Sequence, residues 1–498
     1  MLSVFAAAAI ITSHVQGEVQ PDWVHKDHSL KIAGKMVKYQ TTAGMMPIRS
    51  KEGDVDGRIF FTYYKRTDVA NSAKRPVTFV FNGGPGSASV WLHLGFVGPK
   101  RPKMGSAEGF MPPPPYELVT NDESILPESD IVTIDPVGTG YSRPDKPEDG
   151  TKFWGVDGDI SSVGEFIRSF LSTENRWLSP IFVMGESYGG IRGSGLSIWL
   201  HDKGIGLSGL ILVSPLIGPA PADGAKTTDT RPAFFFPTFA TTAWYHHRLS
   251  EDMQKKTVDE VYQEALKFAR SEYLPALSEG DKITPEKKKD IAAKLSHFTG
   301  LSDEYLEKAN LRINDFRWYK ELLRSQKRLI GRYDSRYVGF DLNPDSDRGG
   351  PDPSYTQVQP VFTSTINDYL PGEIGYETTL RYYILGDGIG APWKYPEGGG
   401  PLDKSGSLRQ AIAANPYTKV MVAMGYYDVA CPMGTNDQLL DNLSLDPLLA
   451  NNIVRTRYQA GHMIYLDDEC RRQLHRDVAA FIKSQSAPSA PKGSFKKS

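Results

Sequence analysis

Three residues, far apart in the chain, have the types and the order that acyl transfer needs: Ser187, Asp428 and His462. A serine hydroxyl is a poor nucleophile unless a base takes its proton as it attacks, and the base must be oriented by a third group. Ser187 lies in Gly185-Glu186-Ser187-Tyr188-Gly189, after the apolar run Ile181-Phe182-Val183-Met184 and before small residues leading into Leu196-Ser197-Ile198-Trp199-Leu200. This reads as a buried strand, a sharp turn and a helix start, with glycines where a Cβ beside the serine would not fit. Asp428 leaves the apolar strand Lys419–Met424 through Gly425-Tyr426-Tyr427, and His462 follows the last expected strand, Ile453–Tyr458, in a Gly-His-Met turn. Among ten histidines only His462 is so placed; His475 falls on the closing helix and His246-His247 lie among helical segments. Taken singly, Asp428 or His462 would be structural more often than catalytic; order and strand-end placement together favour a triad.

A glycine-rich loop adds to this. Asn82-Gly83-Gly84-Pro85-Gly86 leaves the buried strand Val77–Phe81, so its backbone N–H groups can be aimed at a substrate carbonyl oxygen. The Gly84 and Tyr188 N–H groups are the candidates for an oxyanion hole. A phosphate cradle is the rival reading, but the loop lacks the Lys-Ser/Thr ending that such cradles use.

The elements that must position these residues are short apolar strands alternating with helices. After an antiparallel opening ribbon (Val37–Thr41 and Arg58–Tyr64) come Val77–Phe81, Ile131–Ile134, a helix over Gly158–Leu171, the Ser187 strand, and Leu210–Ser214. Such a pattern predicts a mostly parallel sheet covered by helices on both faces, with ligands beyond the carboxyl ends of the strands. Ser…Asp…His is also the triad order of the α/β-hydrolase architecture. From Gly218 the character changes: helical spacing runs through Val258–Ala269, Pro285–Phe298 and Asp315–Leu329, then a proline- and glycine-rich stretch over 343–360 reads as a long loop. Residues 219–400 are read as a helical cap inserted into a core made of 18–218 and 401–484. The alternative, an independent tandem domain, sits less well with the return of strand–helix alternation at Lys419. Residues 485–498, rich in Ser, Pro and Lys, are expected to be disordered.

Composition narrows the function classes. The 498 residues carry a formal charge of −2, so no basic surface and no nucleic-acid partner is expected. Residues 1–17 contain an apolar, alanine-rich run resembling a signal peptide without the usual basic start, which points to secretion or a periplasmic location. No later stretch reaches ~18 uninterrupted apolar residues, so no membrane span is expected. Cys431 and Cys470 could pair, although two separate thiols is the simpler reading. No metal motif is present, and the chemistry needs no cofactor.

Asn82-Gly83-Gly84-Pro85-Gly86, Gly185-Glu186-Ser187-Tyr188-Gly189, Asp428, Gly461-His462-Met463 and the block Asp135-Pro136-Val137-Gly138-Thr139-Gly140-Tyr141-Ser142 together resemble the serine carboxypeptidase family, from about Arg58 to Ile482, in a bacterial-type form. The resemblance implies an α/β-hydrolase fold and release of C-terminal residues from peptides through an acyl-enzyme. It also implies that Asn82, Gly83 and Glu186 bind the substrate's free terminal carboxylate. A glutamate facing a carboxylate must be protonated to donate a hydrogen bond, so an acidic optimum is expected. Two positions depart from the family pattern: Ser87-Ala88-Ser89 replaces a cysteine-bearing segment, and Leu94-Gly95-Phe96-Val97-Gly98-Pro99 lacks the acid that pairs with the glutamate in many members. Another acyl hydrolase or acyltransferase on the same triad, and a non-catalytic binding protein, remain alternatives; a homodimer is compatible with the sequence.

Overall fold

The computed structural model describes residues 23–71, 74–106, 111–219, 229–347, 349–389, 393–395 and 402–487. The expected leader and nearly all of the expected disordered tail lie outside them. Nine strands form the path of the main sheet: β1 (Val24–Ile32), β2 (Lys35–Arg49), β3 (Val55–Arg66), β4 (Val77–Phe81), β5 (Asp130–Asp135), β6 (Ile181–Glu186), β7 (Gly209–Val213), β8 (Lys419–Gly425) and β9 (Ile453–Tyr458). Their spatial order is β1-β2-β3-β5-β4-β6-β7-β8-β9, and the two-residue strand Arg143–Pro144 adds to β3. The first three strands pair antiparallel, as does β3 with β5; the six from β5 to β9 are mutually parallel. The opening ribbon is therefore longer than its sequence pattern suggests, and β1 was not foreseen.

The chain runs from β4 outward to β5, then crosses back to β6 on the other side of β4. Connections that leave two adjacent parallel strands in opposite directions open a crevice at their carboxyl ends. Here the adjacent strands are β4 and β6, which end at Phe81 and Glu186, immediately before Asn82 and Ser187. The sheet topology thus converges on the two motifs that the sequence singles out.

Helices cover both faces. On one side, α1 (Val156–Thr173) and α2 (Gly189–Asp202) pack against inward residues such as Phe79, Val183 and Leu212. Phe170 of α1 meets the Phe79 ring edge-on at 5.4 Å. The alternate residues Val80, Phe182, Met184 and Ile211 belong to the core of the opposite face. There the Phe182 ring meets Phe481 on the closing helix, Asp468–Gln485. This period-two division between two buried faces explains why the central strands read as continuous apolar runs.

Between β7 and β8 lie α3 (Thr230–Tyr245), α4 (Val258–Phe268), α5 (Pro285–Thr299) and α6 (Gln359–Tyr369). Thr257 and Glu260 form a reciprocal cap at the start of α4, and Gly300 ends α5 in the left-handed region (φ 66°). Phe236 of α3 joins the three helices by edge-on contacts with Phe268, Tyr273 and Phe298. The expected helix from Asp315 to Leu329 is shorter: it stops at Glu321, Lys327 turns left-handed (φ 55°), and Arg328–Ile330 pairs antiparallel with Val338–Phe340. Pairing takes the apolar residues that helical spacing had claimed. The expected loop over 343–360 contains two helix starts, at Pro353 and Gln359, where prolines occupy the first turn. No helix among the described residues is long and apolar enough to cross a membrane.

One buried ion pair ties the two motif loops together. Arg192 on α2 donates through Nε to Asp159 Oδ2 on α1 at 2.8 Å, and through Nη1 to the Asn82 carbonyl at 2.5 Å. Both side chains are inaccessible to solvent. Removing one partner leaves an uncompensated buried charge, so Arg192→Ala should cost about 3–5 kcal/mol. A thermal unfolding midpoint unchanged from the wild type would show that the pair holds nothing.

Candidate active site

The turn after β6 is strained in the way an exposed nucleophile requires. Ser187 sits at φ +63°, a region that side-chain-bearing residues seldom occupy. Its N–H donates to the Val213 carbonyl at 3.1 Å, and its own carbonyl accepts from the Gly190 and Leu216 N–H groups, both at 2.8 Å. A Cβ on Gly185 would stand 2.5 Å from the Gly189 carbonyl oxygen, and one on Gly190 would stand 2.4 Å from that of Leu216. Gly189, by contrast, has ordinary space, with its nearest neighbour at 3.4 Å. The turn therefore depends on Gly185 and Gly190; the second glycine of the five-residue motif is not the one under pressure.

The loop after β4 rests on this turn. A Cβ on Gly83 would lie 2.4 Å from the Tyr188 nitrogen and 2.7 Å from the Glu186 carbonyl oxygen. Gly84 follows with φ +99°. Among the described residues, neither the Gly84 nor the Tyr188 N–H has an acceptor, and both residues line one cavity together with Ser187 and His462. All the residues singled out from the sequence line that cavity except Asp428, which is buried behind it.

Asp428 Oδ2 is 2.8 Å from His462 Nδ1, while Oδ1 accepts the N–H groups of Ala430 and Cys431 at 2.9 Å each. A carboxylate only accepts, so Nδ1 carries the proton and Nε2 keeps its lone pair. Burial alone would depress the basicity of His462, but the charge and hydrogen bond of Asp428 outweigh it and the net shift is upward.

Glu186, next to the nucleophile, is buried among polar groups. The Leu92 N–H donates to Asn82 Oδ1 at 3.0 Å, which turns Asn82 Nδ2 toward Glu186 Oε1 at 2.8 Å. Oε1 is thus an acceptor, and the carboxyl proton, when present, belongs on Oε2. Oε2 is buried and has no well-formed hydrogen bond. Burial pushes the pKa of Glu186 up to about 7; the charge of His462 works against the rise and that of Asp428 adds to it. The hydroxyl of Tyr465 lies beside the Glu186 carboxyl. Gly95 makes the room, since a Cβ there would stand 2.3 Å from the Tyr465 ring.

Sequence reasoning missed the segment from Gly331 to Tyr337, which reaches the loops that carry Asp428 and His462. The His462 N–H donates to the Tyr333 carbonyl at 2.6 Å, and Val429 N–H to the Arg332 carbonyl at 3.1 Å. Ser335 N–H donates to the Tyr427 carbonyl at 3.0 Å, Gly461 N–H to Asp334 Oδ2 at 3.1 Å, and Arg336 Nη1 to the Gln459 carbonyl at 2.8 Å. Its only signal in the sequence is a dense run of aromatic and charged residues between a helical tract and a loop. The Asp135–Ser142 block proves to be scaffold: Asp135 Oδ1 accepts the Ser89 N–H at 2.8 Å, and Ser142 Oγ accepts the Phe60 N–H at 2.7 Å. Cys431 lines the cavity as a buried thiol whose pKa burial drives well above its ordinary value; it and Cys470 are both unpaired.

With this geometry in place, comparison with known proteins is informative. The family model for serine carboxypeptidase matches residues 32–364. The chain belongs to the serine carboxypeptidase family, a family of hydrolases. The pheromone-processing carboxypeptidase KEX1 of Saccharomyces cerevisiae is 30% identical over 165 residues, covering 30% of this chain and 21% of KEX1. A probable serine carboxypeptidase of Arthroderma benhamiae is 32% identical over 161 residues, 30% of this chain and 28% of that protein. The match to serine carboxypeptidase-like 45 of Arabidopsis thaliana, 27% identical, covers 33% of each. The chain thus spans no more than about a third of the length of these relatives. Over the whole fold, the crystal structure of S. cerevisiae Kex1(delta)p, titled a prohormone-processing carboxypeptidase, superposes with a TM-score of 0.57 at 16% identity, covering 90% of this chain and 91% of that one. The fold is that of an α/β-hydrolase.

If His462 is the base and Asp428 holds its tautomer, Asp428→Asn should fold normally and lower kcat for ester hydrolysis by on the order of 10⁴. A fluorophosphonate should label Ser187 in the wild type and fail to label Ser187→Ala; an adduct surviving that substitution would place the nucleophile elsewhere.

Proposed function

We propose that the protein is a serine carboxypeptidase that removes C-terminal residues from peptides. The observation that carries this reading is Glu186, which lines the cavity next to Ser187 with a buried carboxyl held by Asn82 and neighboured by the Tyr465 hydroxyl. A protonated Glu186 offers a donor there, and Asn82 and the Gly83 backbone complete a polar end suited to a free carboxylate. Ser187 Oγ attacks the scissile carbonyl while His462 Nε2 takes its proton. The Gly84 and Tyr188 N–H groups hold the developing oxyanion, a role worth ~10²–10³ in rate per donor. His462 then protonates the leaving amine, the amino acid departs with its carboxylate, and water attacks the acyl-enzyme along the reverse proton path. Asp428 keeps His462 oriented throughout. Serine carboxypeptidase family membership supports the same reaction class.

The two ionisations act in opposite directions. Above about pH 7 Glu186 ionises and faces the substrate carboxylate as a like charge, so KM for free acids rises with pH. As pH falls, His462 takes a proton and ceases to be a base, so kcat falls on the acid side. The two groups interact, and the limbs belong to the pair rather than to either residue alone. A blocked dipeptide should therefore be cleaved with a bell-shaped kcat/KM, whereas its C-terminal amide should be a far poorer substrate and lack the alkaline limb. Glu186→Gln should also remove that limb. Equal cleavage of acid and amide, or a free-acid profile rising steadily to pH 8, would reject carboxypeptidase specificity.

A further inference from the structure

Arg332 has no part in the mechanism above, yet it lines the same cavity as Ser187 and His462. Its backbone is fixed at both ends: the N–H donates to Asp352 Oδ1 at 3.1 Å, and the carbonyl accepts from Val429 beside the catalytic aspartate. Its side chain is solvent-accessible. Among the described residues the guanidinium forms no ion pair; the ring of Tyr333 lies 5.3 Å away. The Tyr333 hydroxyl and the charge of Asp352 act on the guanidinium, but Asp352 makes no ion pair with it: its Oδ1 takes the Arg332 N–H and Ser354 N and Oγ at 2.9 and 2.6 Å. Nearby arginines of the same insertion behave otherwise: Arg336 is paired with Asp334 and Asp467, and Arg324 with Glu321 and Asp347.

The wall next to this cation is aromatic. Tyr333 and Tyr355 stand with ring centroids 6.0 Å apart, and Tyr355 and Trp91 6.1 Å apart, all three lining the cavity. An apolar wall ending in an accessible guanidinium fits a side chain with a short aliphatic stem and a carboxylate tip, since guanidinium and carboxylate match in shape as well as charge. A lysine or arginine side chain would meet a like charge instead. We infer that Arg332 is a specificity residue that selects peptides bearing an aspartate or glutamate next to the scissile bond. This rests on the carboxypeptidase reading and adds a second carboxylate, distinct from the terminal one assigned to Glu186.

The test uses the whole protein and two series of blocked dipeptides, X-Leu and Leu-X, with X as Glu, Gln, Leu or Lys. The assay is run near pH 6, where a glutamate side chain is ionised and Glu186 is still largely protonated. The expected result is a kcat/KM ratio of Glu to Gln of at least about tenfold in one series, and Lys the poorest substrate in that series. The series that responds shows on which side of the bond the carboxylate lies. Arg332→Gln should bring the ratio close to one, Arg332→Lys should keep part of it, and added salt should weaken it. A wild-type ratio near one in both series would overturn the inference while leaving the carboxypeptidase reading intact. So would a preference that survives Arg332→Gln. Failure of the wild type to cleave any of the free acids, with simple esters still hydrolysed, would overturn both.

Discussion

The site depends on a steric constraint: backbone from three parts of the chain meets around Ser187 with no space for side-chain carbons. Holding a serine at positive φ is unfavourable and survives only where the surroundings fix it. Here β6 arrives through Gly185, α2 leaves through Gly190, and the loop after β4 presses Gly83 on the Tyr188 nitrogen. The result is one rigid unit in which Ser187 and both candidate oxyanion donors are positioned by the same contacts. Arg192 extends that unit into the core, because its guanidinium holds the Asn82 carbonyl and the Asp159 carboxylate together.

Within this unit the electrostatics follow from how little water is left. Glu186, Asp428 and His462 are all buried, and a dry site carries few uncompensated charges. Asp428 is matched by the imidazole and by two backbone N–H groups. Burial raises the pKa of Glu186, and the nearby Tyr465 hydroxyl and Asn82 amide offset only part of the rise. The two carboxyls near the one histidine thus differ in their hydrogen-bond supply. Tyr465 beside Glu186 adds a neutral group where a second acid would have added a charge.

What could be read from the sequence was what depends on local chain geometry. Ser187, Gly84, Asp428 and His462 each leave the end of a strand, and strand ends are marked by where apolar runs stop. The sheet was legible for the same reason: strands buried on both faces leave uninterrupted apolar runs. The illegible parts depend on contacts between distant segments. Nothing near Gly95 announces that Tyr465, 370 positions later, needs its space. Nothing near Arg332 announces that its neighbour's carbonyl will hold His462. The prolines at 353 and 360 misled because the same residue that ends a helix or fills a loop also suits a first helical turn.

The segment from Gly331 to Tyr337 gives the inserted helices a further consequence for catalysis. Its carbonyls and carboxylate bind the backbone of both the Asp428 loop and the His462 loop, while two of its residues, Arg332 and Tyr333, line the cavity. The groups that would sense the substrate and the bonds that hold the base are therefore adjacent residues on one short stretch. Because the Tyr333 carbonyl holds the His462 N–H while Tyr333 itself lines the cavity, the insertion is bonded into the backbone of both loops rather than resting on them as a detachable cover.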